Sequence, residues 1–199
     1  MRTIKVLFID VKSIKFNRSR VEAIVSPDRI KKANSLVREE DALLSLGAGY
    51  LIRRFVGEYS VDKNGKPVSD KTFFSVSHSG KYAAIVVSDA RIGLDIEKIR
   101  RRNDAAFRKR MLSEAEAAEC EALDAAEIIT AKESLGKADG EGLKNGLRAI
   151  PALPQSGEVD FNGRSYHRRK ACHDGYIVSV TVEGKDFAIE TENIAIIDL

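Results

Sequence analysis

Tryptophan is absent from this chain of 199 residues, and aromatics of all kinds make up only 7% of it. Base stacking on aromatic side chains, the usual device for gripping single-stranded nucleic acid, therefore has little to work with. The two cysteines, Cys120 and Cys172, form neither a disulfide framework nor a metal-binding spacing. The longest purely apolar run, Tyr82 to Val87, has six residues, against the roughly 20 that a bilayer-spanning helix needs. Met1–Ile9 is interrupted by Asp10 too early for a signal peptide and reads as a first strand. A cytoplasmic protein with free thiols, not bound to membrane, is the expectation. A G-x-S-x-G nucleophile elbow is missing as well, which removes the common serine-hydrolase reading.

What remains is the composition of a globular protein, with 43% hydrophobic and 32% charged residues. The net charge of +3 is unevenly spread. Lys98, Arg100, Arg101, Arg102, Arg108, Lys109 and Arg110 stand against the single acid Asp104. Such a run fits a polyanion, an acidic protein or simply a solvated basic face.

Periodicity places helices and strands in both halves. Ser26-Pro27-Asp28 reads as a helix start, and Leu44, Ala48, Leu51 and Phe55 fall on one face of a helix within Arg38–Val56. Thr72–Ser77 and Tyr82–Ser88 read as strands joined by a polar turn, His78-Ser79-Gly80-Lys81. A third strand follows at Ile92–Ile96. Asp104–Leu112, Ser113–Leu123 and Ala125–Lys137 read as helices, with a capping box at Ser113 and Glu116. The glycine-rich stretch Gly136–Gly146 reads as a loop. Short alternating runs from Glu158 to Glu190 predict an antiparallel sheet. The basic stretch Lys98–Asn103 is the expected boundary between two α+β units, residues 1–99 and 100–199.

Three stretches offer chemistry. In Gly93-Leu94-Asp95-Ile96-Glu97, strand alternation points Asp95 and Glu97 the same way. Adjacent carboxylates repel unless a cation lies between them, and a hard cation such as Mg²⁺ suits oxygen ligands; the plain alternative is a strand end with two solvated acids. In Lys132-Glu133-Ser134-Leu135-Gly136-Lys137, Glu133 and Lys137 share a helix face. As structure that is an ion pair of about 0.2–0.5 kcal/mol; as chemistry it sets a carboxylate beside a phosphate-binding ammonium. Third, Ser75-Val76-Ser77-His78-Ser79-Gly80 groups hydroxyls and an imidazole able to donate to phosphate oxygens.

In this order and spacing, the three stretches resemble the signature of 4′-phosphopantetheinyl transferases, in particular the longer class that activates peptide and polyketide synthetases. Ser26-Pro27-Asp28-Arg29, Arg38-Glu39-Glu40-Asp41-Ala42, Gly65-Lys66-Pro67 and Gly140-Glu141-Gly142-Leu143 extend the resemblance from about Ile24 to Leu143. It implies an α+β fold of two similar lobes related by a pseudo-twofold, with the site in the cleft between them, and a monomer. It implies transfer of the phosphopantetheine arm of coenzyme A to a serine of an acyl or peptidyl carrier protein. Asp95, Glu97 and Glu133 would be Mg²⁺ ligands, with Glu133 also the base. Lys137 and His78 would contact phosphate, Arg29, Lys32, Ser45 and Ser77 the 3′-phosphate end of coenzyme A, and Lys66 the nucleotide pocket. Carriers of this kind are acidic, which fits the basic run Lys98–Arg110. Ile129 stands where the family usually has an aromatic residue. Two other readings are a non-catalytic relative that only binds coenzyme A or a carrier, and a basic nucleic-acid-binding module.

Overall fold

The computed structural model describes residues 2–13, 15–62, 65–99, 104–140 and 146–195. Strand β1 (Arg2–Asp10) is followed by helices α1 (Arg18–Glu22), α2 (Pro27–Asn34) and α3 (Glu39–Phe55). The short pair β2 (Ser60–Val61) and β3 (Pro67–Val68) leads to β4 (Phe73–Ser79), β5 (Tyr82–Ser88) and β6 (Ile92–Lys98). Helices α4 (Ala105–Met111), α5 (Glu114–Glu119) and α6 (Ala125–Asp139) come next. The chain ends in β7 (Gly157–Phe161), β8 (Arg164–His173), β9 (Tyr176–Glu183) and β10 (Phe187–Asn193).

Local chemistry explains the helix limits. Ser26 caps α2 by accepting from the Arg29 N–H, with Pro27 at the first helical position. Helix α3 opens on Glu39, Glu40 and Asp41 and closes on Arg53 and Arg54, matching its dipole. Reciprocal capping boxes start α5, with Ser113 and Glu116, and α6, with Asp124 and Glu127.

Two four-stranded sheets form, in the orders β10-β1-β5-β4 and β6-β9-β8-β7. Their facing sides share one core. Ile4, Val6, Phe8, Ala84 and Val86 of the first sheet meet Ile92, Leu94, Ile96, Val178, Val180 and Val182 of the second. Each fully buried aliphatic side chain there is worth about 1.5–3 kcal/mol. Helices α1–α3 cover the other side of the first sheet in a separate core that includes Val21, Val25, Leu44, Leu51 and Ile85. Helix α6 covers the other side of the second.

Several features differ from the sequence reading. Sheet membership changes at Ile92, ahead of the expected boundary at residue 99, because β6 pairs with β9. Strand β10 returns to the first sheet and pairs in parallel with β1, a long-range pairing that local alternation cannot encode. His78 lies on β4 rather than in a turn, since β4 continues to Ser79. Gly136 is interior to α6, which runs on to Asp139 and stops only at Gly140, whose φ of 85° is the left-handed cap that favours glycine. Residues 141–143 and the basic residues Arg100, Arg101 and Arg102 lie outside the described residues.

Candidate active site

Strand alternation turns Leu94 and Ile96 into the core between the sheets and leaves Gly93, Asp95 and Glu97 facing α6. Gly93 decides how close that helix comes. A Cβ at Gly93 would lie 1.9 Å from the Ser134 carbonyl oxygen, so any larger residue pushes α6 off the strand. The small hydroxyls of β9 reinforce the approach, for Ser134 Oγ lies 2.9 Å from both Ser179 Oγ and Thr181 Oγ1 in a fully buried cluster. The glycine and the two carboxylates of one sequence motif thus have separate jobs, the first admitting α6 and the others meeting what it carries.

What α6 carries is Glu133 and Lys137, one turn apart. Lys137 Nζ donates to Asp95 Oδ1 at 2.6 Å and to the Leu94 carbonyl at 3.1 Å, and lies 3.5 Å from Glu133 Oε2. Asp95 is buried, and its second oxygen, Oδ2, has no hydrogen-bond partner among the described residues. Glu97 is half-buried beside it. Burial, then the repulsion of Asp95, raises the Glu133 carboxyl above its ordinary pKa, with Lys137 opposing. Burial works against the charge on Lys137, yet Asp95 and Glu133 outweigh it and hold the ammonium above its usual value. The cleft holds three carboxylates against this one ammonium at its centre, and an orphaned buried carboxylate oxygen costs free energy until a donor or cation reaches it.

The donor chemistry suits a hard divalent cation. Among the described residues, no group of three or more His, Cys, Asp or Glu side chains is set closely enough to hold a metal unaided. Mg²⁺ is ordinarily bound by one or two carboxylates with substrate phosphates and water, and that is the arrangement Asp95 and Glu97 offer.

Strand β4 borders the cleft. Ser77 Oγ donates to Asp95 Oδ1 at 2.7 Å, and Ser79 Oγ donates to Glu97 Oε2 at 2.9 Å. Ser77 is therefore occupied at the junction of the two sheets. His78 is turned by alternation to the opposite side, the side of α3, and is exposed there. Desolvation by the surrounding protein lowers its pKa, and the Lys137 charge adds to the effect. On α3, Ser45 is buried, and its Oγ has no hydrogen-bond partner among the described residues. One turn further on, the Arg29 side chain packs against Gly49, where a Cβ would lie 2.7 Å from Arg29 Cγ. Lys32 is exposed one turn along α2.

Two recesses flank this centre. One of about 290 Å³ is lined by Lys66, Pro67, Phe74, Gly136, Lys137 and Gly140. Lys66 Nζ reaches across it to donate to the Lys137 carbonyl at 2.8 Å, and burial lowers its pKa. The other, of about 490 Å³, runs from Glu97 and Lys98 past Phe107 and Arg110 to Ala126 and Ile129. The basic run is not one uniform face. Lys98, Lys109 and Arg110 are exposed, whereas Arg108 donates to the Cys120 and Ala117 carbonyls and closes the end of α5.

The sequence reading passed over the roles of Gly93 and Lys132, gave Glu116 its capping role but not its pairing with Lys132, and took Ser79 as a phosphate donor rather than a partner of Glu97. Ser75, Ser77 and Ser79 repeat every second residue, a strand-period stripe of hydroxyls that is visible in the sequence itself.

A cleft of carboxylates and one lysine, framed by two sheets and α6, agrees with comparison against known families. The model of the 4′-phosphopantetheinyl transferase superfamily matches residues 91–189, from the start of β6 into β10, so that segment is similar to that superfamily. Beyond that segment the chain is similar to a curated relative, the 4′-phosphopantetheinyl transferase Sfp of Bacillus subtilis (strain 168). The two are 28% identical over 194 residues, covering 84% of this chain and 86% of the relative.

Proposed function

We propose that this protein transfers the 4′-phosphopantetheine arm of coenzyme A to a serine hydroxyl of an apo carrier protein and releases 3′,5′-ADP. The observation that carries this reading is the cleft itself: Lys137 lies 2.6 Å from Asp95 and 3.5 Å from Glu133, with Asp95 Oδ2 buried and unpartnered. Phosphoryl transfer asks a protein mainly for positioning and charge neutralisation, and these groups are suited to both.

Asp95, Glu97 and Glu133 would hold Mg²⁺, which when bound supplies positive charge to the pyrophosphate. Glu133, whose proton affinity burial and Asp95 raise, would take the proton from the carrier serine, directly or through a water. The serine oxygen bonds to the β-phosphorus of coenzyme A while the bond from that phosphorus to the bridging oxygen breaks, and 3′,5′-ADP departs with the electron pair. Lys137 would hold phosphate oxygens as charge shifts, and His78 would contact phosphate from the α3 side of β4. Arg29, Lys32 and Ser45 would receive the 3′-phosphate; the unpartnered Ser45 Oγ supports that role. Ser77, already bonded to Asp95, would serve the phosphates through that carboxylate's position. Lys66 and its recess would take the nucleotide.

The carrier would approach past the larger recess, where the exposed ammonium and guanidinium of Lys98 and Arg110 favour an acidic partner. The protein would act as a monomer. No described helix is long and apolar enough to cross a membrane.

The test is to incubate the protein with coenzyme A, Mg²⁺ and an apo acyl carrier protein and weigh the carrier. The expected result is a gain of one phosphopantetheine, abolished by chelator and by Glu133→Ala; in the same assay Arg110→Glu raises KM for the carrier more than for coenzyme A. No gain with several carriers, while coenzyme A still binds, would favour the non-catalytic reading. Equal effects of Arg110→Glu on both substrates would overturn the docking assignment.

A further inference from the structure

We infer that Ser79 is a positioning residue whose hydroxyl sets the orientation of Glu97 for binding a divalent cation, an inference that rests on the function proposed above. The basis is a repeating hydrogen-bond pattern between β4 and β6. Ser75, Ser77 and Ser79 all point from β4 toward β6. Their hydroxyl oxygens accept the backbone N–H groups of Leu94 at 3.0 Å, Ile96 at 3.3 Å and Lys98 at 3.4 Å. The hydroxyls thus join the edges of the two sheets, standing in for the backbone carbonyls of a regular ladder.

A hydroxyl that accepts an N–H still has its own hydrogen to give. In each rung, the side chain one residue before the accepted N–H decides where that hydrogen goes. For Ser77 it is Asp95, and for Ser79 it is Glu97, at 2.7 and 2.9 Å. For Ser75 the equivalent position is Gly93, which has no side chain to receive it. Because each hydroxyl is held in place by a backbone N–H, its hydrogen reaches the carboxylate from a fixed point, and an O–H to carboxylate bond is among the stronger kinds. It occupies one carboxylate oxygen and sets the direction of the group as a whole. Glu97 has one more rotatable bond than Asp95 and is half-buried where Asp95 is buried, so a hydroxyl at a fixed point has more orientation to set at Glu97. Hydrogen bonds to metal-ligating carboxylates typically change affinity about 10–100-fold when lost.

Ser75 is the control built into the fold. Ser75→Ala and Ser79→Ala both remove a rung between the sheets, but only the second removes a hydroxyl from a proposed ligand. The experiment measures the Mn²⁺ dissociation constant by electron paramagnetic resonance of free Mn²⁺, with saturating coenzyme A. Wild type, Ser75→Ala, Ser79→Ala and Ser79→Thr are compared, with the melting temperature of each recorded. Ser79→Ala is expected to weaken Mn²⁺ binding about 10–100-fold and Ser75→Ala by less than about threefold, although both lower the melting temperature. Ser79→Thr, which keeps the hydroxyl, is expected to restore most of the affinity. Equal Mn²⁺ affinities for the two alanine variants would overturn the inference and leave Ser79 a purely structural rung. A wild-type protein that binds coenzyme A but no Mn²⁺ would instead overturn the metal assignment on which the inference depends.

Discussion

Two lysines on α6, Lys132 and Lys137, occupy opposite kinds of setting five residues apart. At about 100° per residue they point well away from each other. Lys132 is fully buried, pairs with Glu116 Oε2 at 3.0 Å and donates to the Ile150 carbonyl. Glu116 is itself engaged by the Ser113 N–H and, at 2.6 Å, by the Ala152 N–H. Nearby, Arg168 is buried and donates to the Pro151, Ala152 and Pro154 carbonyls. That side is closed to solvent: Glu116 is matched to Lys132, and carbonyls take up both terminal nitrogens of Arg168, whose buried Nε alone has no hydrogen-bond partner among the described residues. Lys137 faces the cleft, is 29% exposed and meets Asp95 and Glu133 with Glu97 beyond. A closed, balanced ion pair has nothing left to offer a ligand, whereas an open, carboxylate-rich cleft with an unpartnered oxygen does. The same K-E-x-x-x-K motif therefore splits into a lysine buried against Glu116 and a lysine paired with the carboxylates of the cleft.

The sharpest way to break this contrast is Lys132→Met. Removing one partner of a buried pair leaves the other charge uncompensated, at a cost of about 3–5 kcal/mol. The expected outcome is a loss of that size in urea unfolding, partly recovered in Lys132→Met/Glu116→Gln, with kcat of the folded fraction within about tenfold of wild type. Full stability with lost activity would move Lys132 into the chemistry.

Lys137→Met is expected to behave the other way. Removing a preorganised charge donor typically costs roughly 10²–10³-fold in kcat, or about 2.7–4 kcal/mol, while the urea midpoint should fall less than in Lys132→Met. Matching losses of stability in the two variants would erase the distinction between the faces of α6.

The sequence carries this contrast only in part. Helical periodicity and capping residues announce α2 to α6, and strand patterning announces β1 and β4 to β10, because those signals are local. The shared face of Asp95 and Glu97 follows from strand alternation alone, and that of Glu133 and Lys137 from helix spacing. That the two pairs meet was an implication of family resemblance, for it depends on Gly93 letting α6 lie against β6, a contact between segments some 40 residues apart. Nothing local marks Lys132 as buried; Glu116 and the Ile150 carbonyl are brought beside it by the chain's return. The parallel pairing of β10 with β1 and the serine rungs are legible only once both partners are placed.

The smallest effect expected is a pH dependence confined to the closed side. Burial opposes ionisation of Glu116, but the Ala152 and Ser113 N–H groups and Lys132 outweigh it, so its pKa lies below the ordinary 4.5. A carboxyl depressed in the folded state contributes stability that is fully present above its unfolded value and is lost as pH falls through the folded one. Lys132 is held below its ordinary 10.5, chiefly because burial penalises its charge more than Glu116 compensates. Between that lowered value and 10.5 the unfolded chain binds more protons, so this lysine's contribution rises with pH. Arg168 and the Cys120 thiol also face the pair, but Lys132→Met leaves both in place. The stability gap between wild type and Lys132→Met is therefore expected to be level near neutral pH, to narrow as pH falls below about 4.5, and to widen toward pH 10. Urea titrations at pH 3.5, 7 and 9.5 read it directly. A gap that stays constant across that range would mean that Lys132 holds α6 through its packed stem and the Ile150 carbonyl alone, with no contribution from the ion pair.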